Sequence, residues 1–524
     1  MKNLRNFLLL SLLLLGMACH KDKGNYDYTE IPAIDIESNP ERINLKVGAK
    51  DTLWTKGAQG DHNLQDTARY AYTWWILDNF IKTRLPQIRT AFITAGDIEK
   101  TGLRGEINFL VEVTDKISGF KSNGLALVLY LHPLTEGWML LCEKEGHSDL
   151  NFLSYDYDGY ELYRGIADTL GITALLSGKP VSSANAQLNG LYGSWYDYSI
   201  AISTENKYLV LNWLNFSYRK EPSETITTAL KPSSTTPLYL SGVDGLIQTP
   251  TDFYAMYVDQ IPPFGKFDHA VPFNDYNLID PDKGVLPDPP DKFQASPVII
   301  PYYDRSGGAF KNMVYDLDRS RFVIPPYYFA GNFISRYADV SFNPAFDLTG
   351  FEPRCGAAMD YAGVMQFNMV MKNEADEYLF LSFLQNGLLQ KKEIINEPRL
   401  GMAEHMVMDM RSGYVIFNNQ NQLFAYDYTT KKTRQLLDFG TEKISLLKFE
   451  HSLDMAQDVY TVGRKAAYQA LVKQLVVCTY DQGRPDNSGT FHLYDIPIGH
   501  QPLIEKTQIA GLPRIQSATF IKLN

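Results

Sequence analysis

The most restrictive feature of this chain is an apolar run that ends on an aromatic-aspartate step, repeated along the sequence. It occurs as Leu153-Ser154-Tyr155-Asp156-Tyr157, Met313-Val314-Tyr315-Asp316-Leu317, Phe424-Ala425-Tyr426-Asp427-Tyr428 and Leu493-Tyr494-Asp495-Ile496. Tyr196-Asp197-Tyr198 and Tyr480-Asp481 are fainter copies. Such echoes mark an internal repeat. Each fits a strand whose aspartate opens a tight turn, because its carboxylate accepts backbone N–H groups two residues on and tolerates unusual backbone angles. Tyr157-Asp158-Gly159 and Asp318-Arg319-Ser320 supply such turns. Strand–turn–strand units of roughly 40 to 50 residues recurring around an axis make a propeller, and residues 133–524 have room for about seven or eight of them. The competing explanation is plain abundance, since the chain holds 33 Tyr.

Composition points the same way. With 28 Phe beside those tyrosines the aromatic fraction reaches 13%, and turn clusters of Pro, Gly and Asn punctuate the text, as in β-rich chains. One segment reads differently: Gly463 to Leu475 is rich in helix formers, with Ala467, Leu471 and Leu475 four residues apart, which predicts a helix running into a strand at Val476–Tyr480. Stretches 219–236 and 272–296 read as long loops.

Residues 31–132 have another rhythm. Ile107 to Asp115 alternates with Ile107, Phe109, Val111 and Val113 on one face, the pattern of a half-buried antiparallel strand. Tyr70–Leu77 and Gly124–Leu131 read as further strands, and the whole as an immunoglobulin-like sandwich. Tyr72-x-Trp74 followed by Phe109-x-Val111-x-Val113-x-Asp115 resembles the strand pattern of PKD-like domains. Together with Lys23-Gly24-Asn25-Tyr26-Asp27-Tyr28 and the junction Glu136-Gly137-Trp138-Met139-Leu140-Leu141, the layout resembles the PKD-like lipoprotein family of Bacteroidota over roughly the first 160 residues. The resemblance implies no catalytic residues.

The chain opens with Lys2 and Arg5, then Phe7 to Leu15, then Gly16-Met17-Ala18-Cys19. That is the layout of a secretion signal. About nine residues at 1.5 Å each reach roughly half of a bilayer's hydrocarbon layer, too little for a span. Gly16-Met17-Ala18-Cys19 resembles a lipobox, which implies lipidation of Cys19. Residues 1–18 are thus expected to be removed, with 19–30 as a tether. The charged residues after Cys19 resemble surface-export signals of Bacteroidota lipoproteins, which implies an outer-membrane anchor with the body probing outward.

Several chemistries lack support in the text. The net charge of −11 argues against a surface that tracks nucleic-acid phosphates. Cys142, Cys355 and Cys478 are odd in number and far apart, so neither a disulfide framework nor a thiolate metal knuckle is expected; Cys142 and Cys478 read as small buried thiols. Phosphate loops, a Gly-x-Ser-x-Gly elbow and His-Glu-x-x-His are absent from the sequence. Glu404-His405 reads as a surface or edge-strand pair rather than a ligand pair. The acidic stretch Asp280-Pro281-Asp282-Lys283-Gly284 has the wrong glycine spacing for a calcium loop and reads as a solvated turn. No metal and no cofactor are expected.

Aromatic side chains are the remaining candidates for a site. Trp195, Tyr196, Trp213 and the doublets Tyr302-Tyr303 and Tyr327-Tyr328 could stack on sugar faces or fill interface pockets; for any single ring, propeller core is the competing role. The expectation is an all-β chain, a PKD/Ig-like β-sandwich (31–132) followed by a β-propeller-like domain (133–524). Its expected work is non-enzymatic binding or scaffolding near outer-membrane nutrient uptake, with a glycan or peptide ligand or a transporter component as partner. The alternative is a carbohydrate-active hydrolase or lyase on the propeller, with carboxylates gathered from several blades.

Overall fold

The computed structural model describes residues 32–521 apart from 190–195, 213–238 (Phe216 excepted), 241–245, 256–278, 286–292, 451–464 and shorter breaks. The expected signal, Cys19 and the tether lie outside the described residues. Antiparallel strands dominate. The chain divides into two compact units, Met1–Thr101 with Glu106–Tyr130, and Gly102–Gly105 with Leu131–Asn524.

In the N-terminal unit the three expected strands form as Tyr70–Asp78, Gly105–Asp115 and Lys121–Leu131. They lie in one five-stranded sheet, with Asn39–Lys46 and Ile81–Leu85 at its edges. Tyr72 lies opposite Val113, Trp74 opposite Val111 and Ile76 opposite Phe109. Alternation therefore collects Tyr70, Tyr72, Trp74, Phe109, Val111 and Val113 on one buried face. Trp74 stands edge-on to Phe109, ring centroids 6.3 Å apart, and its Nε1 donates to the Thr90 carbonyl at 2.9 Å. The Tyr70 hydroxyl donates to Gln59 Oε1 at 3.0 Å, and that of Tyr72 to the Leu64 carbonyl. Each aromatic thus buries its body against the sheet and satisfies its polar tip on the opposing layer, which includes the short strand Gly57–Gln59.

The hairpin between Gly105–Asp115 and Lys121–Leu131 is clamped by Asp115. Its carboxylate accepts the Ile117 N–H at 2.9 Å, the Ser118 hydroxyl at 2.8 Å and the Arg69 guanidinium at 3.2 Å. The Ile117 N–H, then Ser118 and Arg69, hold the carboxyl down at about 2 against the penalty of burial. A carboxyl depressed on folding stabilises the fold fully above its unfolded value near 4 and loses that contribution as pH falls toward about 2. Amide exchange across residues 105–131 is therefore expected to accelerate between about pH 4 and 2 in the parent chain. Asp115→Asn should exchange faster already at neutral pH and show a flatter acid limb; an unchanged limb would remove Asp115 from this role.

The C-terminal unit is a series of sheets in chain order. Sheet I holds Arg514–Ile521, Gly137–Lys144, His147–Asp156 and Gly159–Tyr163; sheet II holds Pro180–Asn189, Tyr196–Thr204 and Tyr208–Asn212; sheet III holds Tyr239–Leu240, Leu246–Gln248 and Phe253–Ala255. Sheet IV holds Ile300–Asp304, Ala309–Asp316, Arg321–Ile324 and Ala338–Asp339; sheet V holds Phe351–Tyr361, Val364–Asn373, Tyr378–Leu384 and Leu389–Ile395. Sheet VI holds Met406–Asp409, Tyr414–Asn419, Gln422–Asp427 and Lys432–Asp438; sheet VII holds Lys443–Phe449, Gln474–Tyr480, Gly489–Asp495 and Ile504–Leu512. The first-named strands neighbour one another in the order IV, V, VI, VII, I, II, III. These six junctions between seven sheets follow the course of a propeller-like ring, and the last strand of the chain completes the first sheet.

Burial follows from that arrangement. In the second strand of sheet I, Trp138, Leu140 and Cys142 face a core shared with sheet VII, while Met139 and Leu141 face one shared with sheet II. In sheet V, Phe367, Met369 and Met371 face sheet IV, and Val370 faces sheet VI. A middle strand is thus apolar on both faces and reads as an unbroken run. Outer strands are half-exposed and alternate, as in Leu389–Ile395.

Three of the expected aspartate turns are found; Tyr157-Asp158 lies outside the described residues, and Asp197 sits inside the strand Tyr196–Thr204 rather than at its end. Asp427 Oδ1 accepts the N–H groups of Thr429 and Thr430 at 2.8 and 2.9 Å, Asp481 Oδ1 accepts that of Gly483 at 2.8 Å, and Asp316 Oδ1 accepts that of Arg319 at 3.1 Å. Asp156, Asp427 and Asp495 all end the third strand of their sheets, which makes them true structural equivalents; Asp316 ends a second strand. A helix forms at Lys465–Leu471. Its buried side chains are Tyr468 and Leu471, followed by Val472, rather than the expected Ala467, Leu471 and Leu475 stripe. Leu475 already belongs to the strand Gln474–Tyr480 and faces the core shared with sheet VI. The expected loop 219–236 and most of 272–296 lie outside the described residues; within the latter, Asp280 pairs with Gly284 in an antiparallel ladder.

Candidate functional site

The aromatic residues expected to bind do not converge in the described structure. Tyr302 is 1% exposed and stands perpendicular to Phe367 with ring centroids 5.1 Å apart. Its ring is core between sheets IV and V, a correction to the expected binding role, because a first strand buried against its neighbour cannot present that ring to a ligand. Tyr196, Tyr303 and Tyr328 sit on strands, opposite Asn189, Phe310 and Phe333 respectively. Trp195, Trp213 and Tyr327 lie outside the described residues.

Polar groups concentrate instead where the ring closes. The inner edge of Arg514–Ile521 is lined by side chains from both neighbours. From sheet VII, Lys448 Nζ donates to the Ala518 carbonyl at 2.8 Å and pairs with Glu450 at 3.0 Å, and Glu450 accepts the Phe520 N–H at 3.3 Å. From sheet II, the Ser183 hydroxyl meets both the Ser517 and Thr519 hydroxyls at 3.0 Å. Thr519 also donates to the Ser183 carbonyl at 3.0 Å. These contacts satisfy an inner strand edge that would otherwise carry bare backbone groups. They join sheets VII, I and II into one seam around the axis.

A second cluster has the outward form of a catalytic relay. His492 Nδ1 lies 2.9 Å from Glu505 Oε1, and its Nε2 lies 3.4 Å from the Thr479 hydroxyl. The Tyr494 hydroxyl donates to the same Glu505 oxygen at 3.1 Å. Thr479 is fully buried, and its hydroxyl donates to Glu442 at 2.6 Å. A hydroxyl so committed is not offered to a substrate. The five groups sit before the first strand of sheet VII and on its second, third and fourth strands, so the cluster bolts the sheet together across its width. No sequence motif marks it, because its members come from separate strands and only the fold brings them into register.

The thiols are equally withdrawn. Cys142 and Cys478 are fully buried in one core, and burial raises both; Cys355 is pushed up to about 12 by burial. Such thiols are poor nucleophiles. Glu404-His405 does not gather further ligands: among the described residues there is no group of three or more His, Cys, Asp or Glu side chains placed to hold a metal ion.

Among solved structures, the chain is similar to a quinonprotein alcohol dehydrogenase-like protein of Bacteroides thetaiotaomicron, at 10% identity over 93% of this chain and 99% of that one, with a TM-score of 0.35. It is also similar to the periplasmic gluconolactonase PpgL of Pseudomonas aeruginosa, at 9% identity over 74% and 99%, with a TM-score of 0.37. A third is apo AztD of Citrobacter koseri, at 10% identity over 86% and 98%, with a TM-score of 0.32. No curated protein matches the chain in sequence. Residues 19–181 match the PKD-like family model, a span that takes in the strands carrying Trp74 and Phe109 and runs through Gly137-Trp138 into sheets I and II. The chain therefore carries a PKD-like domain at its N-terminal end.

Proposed function

We propose that this protein is a cell-envelope lipoprotein, anchored through Cys19 to the outer membrane and facing outward, that acts as a binding or scaffold module beside nutrient uptake. The observation that carries the reading is the closure of the propeller by its own last strand. Closure makes a stiff ring whose sheets are occupied by core and cross-sheet bonds, leaving the connecting loops as the surface available for recognition. A glycan or a peptide fits such a surface, as does a component of an outer-membrane transporter. Among the described residues no helix is long and apolar enough to cross a membrane, which leaves the lipid as the attachment in this reading.

The test is a glycan and peptide array probed with the full chain, with every hit assayed for turnover. Binding without turnover is the expected result. Turnover of a bound glycan would replace this reading with that of a carbohydrate-active enzyme.

A further inference from the structure

Among the described residues of the N-terminal unit, the apolar side chains most at odds with their surroundings are at one turn. Ile117 is 80% exposed and Phe120 is 52% exposed, both in the six-residue tip that the Asp115 carboxylate holds. That turn is built rather than slack: besides the Asp115 bonds, the Gly119 N–H donates to the Asp115 carbonyl at 2.8 Å and the Asp115 N–H to the Phe120 carbonyl at 2.9 Å. Lys116 is fixed at its base, its Nζ donating to the carbonyls of Thr67 and Ala68 at 2.8 and 3.2 Å. A rigid turn that spends its polar groups inward and displays two large apolar groups outward is shaped to enter an apolar phase.

The position of the chain entry says which phase. The described chain begins at Pro32, whose carbonyl accepts from Gln59 Nε2 at 3.0 Å. Gln59 in turn accepts from the Tyr70 hydroxyl, and Tyr70 lies directly opposite Asp115. The Lys116 N–H donates to the Arg69 carbonyl at 3.0 Å. These linked contacts put the entry of the preceding segment and the Ile117–Phe120 tip at the same end of the unit. Twelve residues, 20–31, separate Cys19 from that entry; a slack chain of that length spans about 20 Å and a fully extended one about 40 Å. The tip is therefore confined near whatever surface holds Cys19.

We propose that the Ile117–Phe120 tip is a bilayer-docking wedge, which places its two apolar side chains at the boundary of headgroups and acyl chains in the membrane that carries the lipid anchor, and so sets the orientation of the N-terminal unit on it. This rests on the anchored-lipoprotein reading. Lys121 at the edge of the tip is paired with Glu112 at 3.0 Å, so the insertion is driven by apolar burial and is insensitive to salt.

The experiment uses the full chain acylated at Cys19, in phosphatidylcholine vesicles. The anchor is read first, by flotation: the acylated chain floats and Cys19→Ala does not. The wedge is read on Phe120→Trp, at an exposed position that tolerates the change, as the emission this substitution adds over the parent. That added emission is expected to shift to the blue and to be quenched by lipids brominated near the glycerol end of their chains, equally at low and high salt. In the unacylated chain, Ile117→Ser with Phe120→Ser should lower residual vesicle partitioning about tenfold. Flotation without quenching overturns the wedge and leaves the anchor standing. Cys19→Ala floating like its parent overturns the anchor reading and this inference with it. Shielding of the added emission from aqueous quencher without lipid quenching, the mark of a protein partner, also overturns the wedge.

Discussion

Replacing Phe520 by alanine is expected to destabilise the C-terminal unit by about 3–5 kcal/mol, the range for deleting a large aromatic from a close-packed core. Phe520 is fully buried on the strand that closes the ring. Its ring centroid lies 5.3 Å from that of Trp138, 5.9 Å from Tyr468 and 6.3 Å from Tyr155. Those rings come from the start of sheet I and from the helix inside sheet VII, so one side chain joins residues nearly four hundred positions apart. The cavity left behind opens the seam at which the two ends of the ring meet. The measurement is a denaturant midpoint on the full chain, with amide exchange resolved by strand. Exchange should rise first in Gly137–Lys144 and Gln474–Tyr480, and later in Val364–Asn373, which lies far around the ring. Phe520→Leu, which leaves a smaller cavity, should lose less. A loss under about 1 kcal/mol, or one spread evenly over all sheets, would mean that the closing strand does not hold the ring.

Much of this was legible because the physics involved is local. The alternation of Ile107 to Asp115 is a direct image of a sheet with one face buried, and its pairing with Tyr70–Asp78 follows from matching apolar positions. The Tyr-Asp steps were readable because an aspartate that caps a turn acts within three residues, as Asp427 does on Thr429 and Thr430. What sequence could not show is which apolar run meets which. The run Trp138–Cys142 looks the same whether its two faces meet one partner or two, and only the ring reveals sheets VII and II on either side. Tyr302 illustrates the same limit: which ring of an aromatic doublet is core stays undecided until its neighbour Phe367, sixty-odd residues away, is in place. The Glu505–His492–Thr479–Glu442 cluster was wholly invisible, since each member is ordinary in its own strand.

Gly137 carries the second large effect, and it explains a glycine at the start of the Gly137-Trp138-Met139 junction. Its φ is +146°, a conformation that side-chain-bearing residues rarely adopt, and a Cβ there would lie 1.9 Å from the Leu153 carbonyl oxygen. The Tyr155 nitrogen and the Leu153 carbonyl carbon would each be 2.9 Å away. None of these atoms is the end of a flexible side chain; all are backbone of the adjacent strand. Gly137 also pairs with Ser154 on one side and Ile521 on the other, so the strand cannot shift to one side without breaking the other ladder. Gly137→Ala is therefore expected to cost about 2–5 kcal/mol, combining backbone strain with overpacking. Gly146 provides the control: its φ is +77° at a hairpin turn, but a Cβ there meets nothing within 4 Å. Gly146→Ala should cost only about 1 kcal/mol, the conformational part alone. If denaturant midpoints of the two variants coincide, steric contact with Leu153 is not what fixes glycine at this position. If Gly137→Ala falls well below Gly146→Ala, and exchange rises in His147–Asp156 alongside it, the requirement is the close approach of two strands at the point where sheet I begins.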